Sequence, residues 1–153
     1  MFLRIQNLSK SFGGFTALSE VNLDIAQGER FGLIGPNGSG KTTLINCVSG
    51  ALRNEVGNIV FDEKNITALP AYQRTRLGIA RSFQIPRPFR SMSVLENLMV
   101  PLQYVVHSRE ADSRATAMEL LAGMGLADKA ETPSSAVKPP KCFDRPLISS
   151  IIA

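Results

Sequence analysis

The 153-residue chain has no tryptophan, one histidine and two cysteines, and these scarcities exclude several chemistries at the outset. Cys47 and Cys142 stand far apart without CxxC spacing, so neither a disulfide framework nor a zinc site is expected. A buried small hydrophobe and a tail thiol are the ordinary readings of the two. No apolar run approaches the roughly 18 residues that cross a bilayer as a helix. A long tract of one charge is also missing: 17 Lys+Arg against 13 Asp+Glu are scattered, and the densest basic cluster is Arg74, Arg76 and Arg81. Direct nucleic-acid binding is therefore not expected, and the net charge of +4 fits a phosphate-binding surface equally well. Arg4 and Lys10 interrupt the start where a signal peptide needs unbroken apolar residues, which points to a cytoplasmic protein. What is present, 44% apolar and 20% charged residues, is the balance of one ordinary globular domain with a real core.

The patterning is α/β. Leu3, Ile5 and Leu8 read as a strand ahead of turns at residues 9–11 and at Gly13 and Gly14. Val21, Leu23 and Ile25 alternate with Asn22 and Asp24, the period of a half-buried strand. Residues 30–34 are nearly continuous in apolar character, as for a parallel strand covered on both faces. A glycine-rich loop follows, then a helix over 43–49 carrying Leu44, Ile45 and Val48, with Gly50 placed to stop it. Further strands are expected at 58–61 and 79–83, with a short helix from near Pro70 between them. Ser93 and Glu96 form a capping box for a helix carrying Leu95, Leu98 and Met99, which Pro101 should kink or end near Val100. A last helix is expected from about 110 to 124, stopped by Gly125.

Gly35-Pro36-Asn37-Gly38-Ser39-Gly40-Lys41-Thr42 matches GxxxxGK[ST] in full, between an expected strand and an expected helix. Each position has a chemical reason. The glycines let successive backbone N–H groups converge on an anion, and the following helix points its positive end at the same place. Lys41 can reach β- and γ-phosphate oxygens, and the Thr42 hydroxyl can ligate the Mg²⁺ that bridges them. The expected ligands are thus ATP or another nucleoside triphosphate with Mg²⁺, held by residues 35–43, Thr43 included.

The wording of that loop, GPNGSGKTTL, resembles the ATP-binding cassette (ABC) family, and so does the stretch Ser9-Lys10-Ser11-Phe12-Gly13-Gly14. The resemblance implies that Phe12 lies against the adenine ring, the alternative being a packed core aromatic. Ile79-Ala80-Arg81-Ser82-Phe83-Gln84 resembles the family's Q-loop, so Gln84 is implied as a ligand of Mg²⁺ or of the attacking water. The run from Arg87 to Asn97 resembles the subgroup that powers branched-chain amino-acid importers. The implied fold is a P-loop NTPase core with an antiparallel β subdomain. The implied partners are transmembrane permease subunits and a second ATP-binding subunit, on the inner face of the plasma membrane. A non-hydrolysing nucleotide-binding fragment, or a soluble P-loop protein of another class, are the alternatives.

The family's later parts cannot be placed in this sequence. Gly123-Met124-Gly125 lacks the serine and glutamine of an LSGGQ-like signature, and His107 precedes where a signature would stand, so it reads as a surface residue rather than the switch histidine. Asp62 and Glu63 end an apolar run superficially like Walker B, yet lie before Gln84; a hairpin turn is expected there instead. In the family the strand at 30–34 pairs with the Walker B strand, so one side of it is expected to be open here. From Val137 the family's residues give way to a Pro-rich and apolar run. Residues 1–136 are accordingly read as a partial cassette lacking its C-terminal part, and 137–153 as a tail outside it, left by a disrupted reading frame or natural to a small protein.

Overall fold

Alternating apolar residues and a two-glycine turn fold the start of the chain into a long antiparallel hairpin, β1 (Leu3–Phe12) and β2 (Phe15–Ile25). Leu3 faces Ile25, Ile5 faces Leu23 and Phe12 faces Phe15 across Gly13 and Gly14, both with positive φ as a tight two-residue hairpin turn requires. β1 also pairs on its other edge with β3 (Val56–Phe61), which turns into β4 (Lys64–Asn65), giving the order β2-β1-β3-β4. The computed structural model describes residues 1–83, 87–105, 110–137 and 151–152.

Helix α1 (Lys41–Ser49) packs with this sheet through Leu44, Cys47 and Val48, which join Leu3, Ile5, Leu8, Leu18, Ile59 and Phe61 in one buried cluster. Fully burying such a side chain is worth about 1.5–3 kcal/mol, so this cluster is what fixes α1 in place. Ile66 and Ile79 close it, flanking the short helix α2 (Ala71–Arg76). β5 (Ala80–Arg81) pairs antiparallel with β6 (Ile151–Ile152), so the region read as a tail contributes one paired strand.

Asp62 and Glu63 form the turn between β3 and β4, both with left-handed backbone angles, as the hairpin reading requires. The expected parallel strand at 30–34 is a correction. Residues 29–36 belong to no strand; Leu33 packs against the core, while Phe31 is 48% and Ile34 96% exposed. The apolar pattern is present, but among the described residues no neighbouring strand offers it a ladder.

The chain divides into two compact units, Met1–Ser82 with Ser149–Ala153, and Phe83–Ile148. In the second unit, α3 (Val94–Tyr104) and α4 (Glu110–Gly123) pack through Leu95, Met99, Ala117 and Leu121, with Ala130 from the turn after α4 joining the cluster. Ser93 Oγ accepts from Glu96 N–H at 3.1 Å, and Glu96 Oε2 accepts from Ser93 N–H at 2.7 Å, completing the capping box. Pro101 neither ends α3 nor breaks its continuity in sequence: the helix runs on to Tyr104, and Val105 N–H bonds Pro101 O at 2.9 Å. Burial of Leu95 and Met99 and the packing of Leu98 and Leu102 outweigh the one hydrogen bond that proline removes.

Ser93→Ala should cost the second unit about 1 kcal/mol by removing a cap. Thermal or urea unfolding measures it, and an unchanged midpoint would contradict the role given to Ser93.

Candidate functional site

The loop of residues 35–40 leaves the core at Leu33 and enters α1 directly, so its position is set by the burial of Leu44 and Val48 one turn and two turns into the helix. Gly38 (φ 82) and Gly40 (φ 86) take left-handed backbone angles. Gly40 has a second reason: a Cβ there would lie 2.5 Å from the Ala17 carbonyl oxygen of β2 and 3.0 Å from a Leu18 methyl. Loop and sheet therefore touch backbone to side chain-free backbone. Gly35 similarly faces Ser39, whose Oγ would be 2.8 Å from an added Cβ.

As N-cap of α1, Gly40 supplies no side-chain cap, and the first turn of the helix carries no acidic residue. Leu44 N–H bonds Gly40 O at 2.9 Å, the first bond of the helix, which leaves the N–H groups of its opening turn without intrahelical acceptors. These groups and the helix dipole make a positive end that nothing in the loop neutralises. Lys41 adds to it. Its Nζ donates to the carbonyls of Gly35 and Pro36, each at 2.6 Å, and to Ser39 Oγ at 3.3 Å. Among the described residues no carboxylate pairs with it. Gly35, Pro36, Asn37, Gly38, Ser39 and Thr42 are exposed, with Gly40, Lys41 and Thr43 half-buried. The arrangement is a cationic, solvent-facing backbone loop, of a kind suited to an anion with several oxygens.

The family model described as "ABC transporter" matches residues 18–138, which include the whole loop. The chain belongs to the ABC transporter family. Among curated relatives, "Probable branched-chain amino acid transport ATP-binding protein LivG" of Archaeoglobus fulgidus is 52% identical over 98 residues, 64% of this chain and 38% of the relative. "High-affinity branched-chain amino acid transport ATP-binding protein LivG" of Escherichia coli K12 is 43% identical over the same share of each. An ATP-binding cassette of an ABC transporter, solved in its ADP conformation, superposes with TM-score 0.75 at 33% identity, covering 90% of this chain and 59% of that one. The α/β reading of the fold is thus that of an ABC cassette. The chain spans about 38% of the length of these curated relatives.

Within this ABC chain, Phe12 stands at the tip of the β1–β2 hairpin, 43% exposed, with Lys10 Nζ 5.1 Å from its ring centroid. It is not the packed core aromatic of the alternative reading. Lys10 also pairs with Glu55 at 2.9 Å, and Glu55 Oε2 accepts from Ser11 N–H at 3.1 Å. The Lys10 hydrogen bond, chiefly, holds the Glu55 carboxyl below the ordinary glutamate range, with desolvation opposing and the Lys10 charge and the Ser11 hydrogen bond adding to it. Gln84 and His107 lie outside the described residues, as does Cys142, while Cys47 is buried within α1.

Arg74 went unremarked in the sequence except as a member of a basic cluster, yet it is 1% exposed and holds the far end of α1. Its Nη1 donates to Cys47 O (2.6 Å) and Val48 O (2.9 Å), its Nε to Leu69 O (2.8 Å) and its Nη2 to Thr67 O (2.9 Å). Burial pulls its pKa below the ordinary arginine range, with Cys47 opposing, and pushes the Cys47 thiol up. Arg81 Nη1 adds a bond to Asn46 Oδ1 on the same helix. One signal was available: residues 64–95 contain five arginines and no acidic residue, so an arginine in this stretch that is buried has to find backbone carbonyls.

Two outcomes follow from this geometry. Gly40→Ala should destabilise the first unit by more than about 1 kcal/mol, because alanine meets both the left-handed angle and the Ala17 carbonyl; a neutral effect on denaturant unfolding would contradict the close approach. A depressed carboxyl pKa stabilises the fold above the unfolded value, near 4.3, and that contribution is lost as pH falls through the lower folded value. Lys10→Ala should therefore raise the Glu55 midpoint in a carboxyl NMR titration, and an unmoved midpoint would remove Lys10 as its cause.

Proposed function

We propose that this chain carries the ATP-binding site of an ABC importer subunit and holds ATP·Mg²⁺ on residues 35–43. The observation that supports this best is the uncapped, acid-free start of α1 beside an ammonium whose partners, among the described residues, are neutral oxygens. A triphosphate entering the loop takes over Lys41 from the carbonyls of Gly35 and Pro36. Charged acceptors replace neutral ones, and such charge-assisted bonds are about twice as strong. The N–H groups of the loop and of the first turn of α1 receive the remaining oxygens.

Mg²⁺ would arrive with the triphosphate, held mainly by its phosphate oxygens and neutralising their charge. Thr42 supplies a hydroxyl toward it and Gln84 an amide. Phe12 offers its exposed ring to the adenine, for which stacking needs only a π face.

The partner surface is assigned to residues 84–97, facing a transmembrane permease subunit in the cytoplasm at the inner face of the plasma membrane. Phe89 supports this: its side chain is 55% exposed, while its N–H donates to Asn97 Oδ1 at 2.8 Å and its carbonyl accepts from Ser134 Oγ at 2.9 Å. A backbone held on both sides presents an aromatic to a partner at little entropic cost, and Arg87 and Arg90, both exposed, flank it. The likeness to the two LivG proteins supports branched-chain amino acids as the cargo of the importer. A second ATP-binding subunit completes each site in the family. Residues 1–153 contain neither a signature nor a Walker B glutamate, and positioned acid–base groups supply about 10²–10⁴-fold in rate. This chain alone binds ATP without appreciable turnover.

Lys41→Ala should weaken ATP·Mg²⁺ binding about tenfold or more, the value of losing a bond between charged groups. Equal binding by wild type and variant, measured calorimetrically, would show the site to be misplaced. Steady turnover by a monodisperse sample, abolished in Lys41→Ala, would show instead that Asp62 and Glu63 or another acid serve as Walker B. Phe89→Asp with Arg90→Glu should abolish co-purification with the permease; persistence of the complex would move the docking surface elsewhere.

A further inference from the structure

We propose that Arg74 is a positioning residue for the nucleotide site, anchoring α1 by its carbonyl end so that its N–H end stays aligned with the phosphate loop. The inference rests on the ATP-binding reading of residues 35–43. Three donor nitrogens of one planar guanidinium reach four carbonyls: Cys47 and Val48 in the last turn of α1, and Leu69 and Thr67 in the segment leading into α2. No carboxylate among the described residues pairs with it. The charge is met instead by the negative end of the α1 dipole, and α1 and the chain before α2 are held by one rigid fork.

Packing closes the same contact from the opposite side. A Cβ at Gly50, just past α1, would lie 3.0 Å from Arg74 Nε and 3.0 Å from both Cα and N of Ala71. The last turn of α1 is therefore in contact with Arg74 both through hydrogen bonds and through a glycine that leaves room for it. Because the helix is nine residues long, about 13.5 Å at 1.5 Å per residue, a tilt at its carbonyl end displaces its N–H end with little attenuation. A lysine keeps the charge but has a single nitrogen, and cannot hold carbonyls lying in different directions.

The test compares ATP·Mg²⁺ with adenosine, which lacks every phosphate, as probes of Arg74→Lys and of Gly50→Ala. Partial unfolding lowers the competent fraction and weakens both ligands alike, whereas a misaligned phosphate loop weakens ATP alone. The expected result is an ATP dissociation constant about threefold to tenfold higher with the adenosine constant unchanged, in both variants. Gly50→Ala provides the same reading if Arg74→Lys does not fold: it crowds the fork without removing it, and the left-handed strain it adds at φ 79 lowers stability, which acts on both ligands alike. Equal losses for ATP and adenosine, or no loss, in a folded variant would overturn the positioning role while leaving the nucleotide site standing. Wild type that binds no ATP would overturn the underlying reading, and the positioning role with it.

Discussion

The start of α1 is bare. Gly40 cannot cap it, no acid in the first turn offsets it, and Lys41 adds a full positive charge to the partial charge of the helix end. In an ordinary helix such a terminus is relieved by a serine or aspartate, as Ser93 relieves α3 in the second unit. Helix α2 also starts without a side-chain cap or an acid, so what sets α1 apart is the Lys41 ammonium and the exposed loop of residues 35–39 before it, and on these the proposed anion site rests.

The remainder of the first unit holds that terminus still. The antiparallel sheet buries Leu3, Ile5, Leu8, Ile59 and Phe61 against α1, and β2 presses its Ala17 carbonyl against Gly40 so closely that only glycine fits. The carbonyl end of the same helix is closed by Arg74, by Arg81 through Asn46, and by Leu52 N–H on Asn46 O at 3.0 Å. Among the described residues, the carbonyl end of α1 thus has many partners and its N–H end no side-chain cap. Support of this kind beneath a set of donors would lower the cost of the proposed binding, because fewer groups would have to be ordered when a ligand arrives.

How far the sequence could be read depended on how local each determinant is. The turn at Gly13 and Gly14 and the Ser93–Glu96 cap were legible because each is carried by a few neighbouring residues, whereas the turn expected at 9–11 is absent: pairing with β2 and β3 carries β1 on to Phe12. Residues 30–34 misled because a parallel strand exists only beside a neighbour; their apolar pattern recorded a partner, and among the described residues none is in place. Pro101 misled in the opposite direction, since packing of α3 on α4 overrode a local rule. Arg74 was not legible at all. Its role depends on carbonyls 5 to 27 residues away in sequence, which no local pattern announces, and only the lack of acids over 64–95 hinted that a buried cation there would be satisfied by backbone.

The central claim, that the free N–H groups at the start of α1 receive a triphosphate, is tested most directly by following backbone amide resonances of the ¹⁵N-labelled chain during titration with ATP·Mg²⁺. Saturable shifts are expected to concentrate at Gly38, Gly40, Lys41, Thr42 and Thr43, where donors gain an acceptor. Saturable shifts confined to other residues, or none at any concentration, would contradict it.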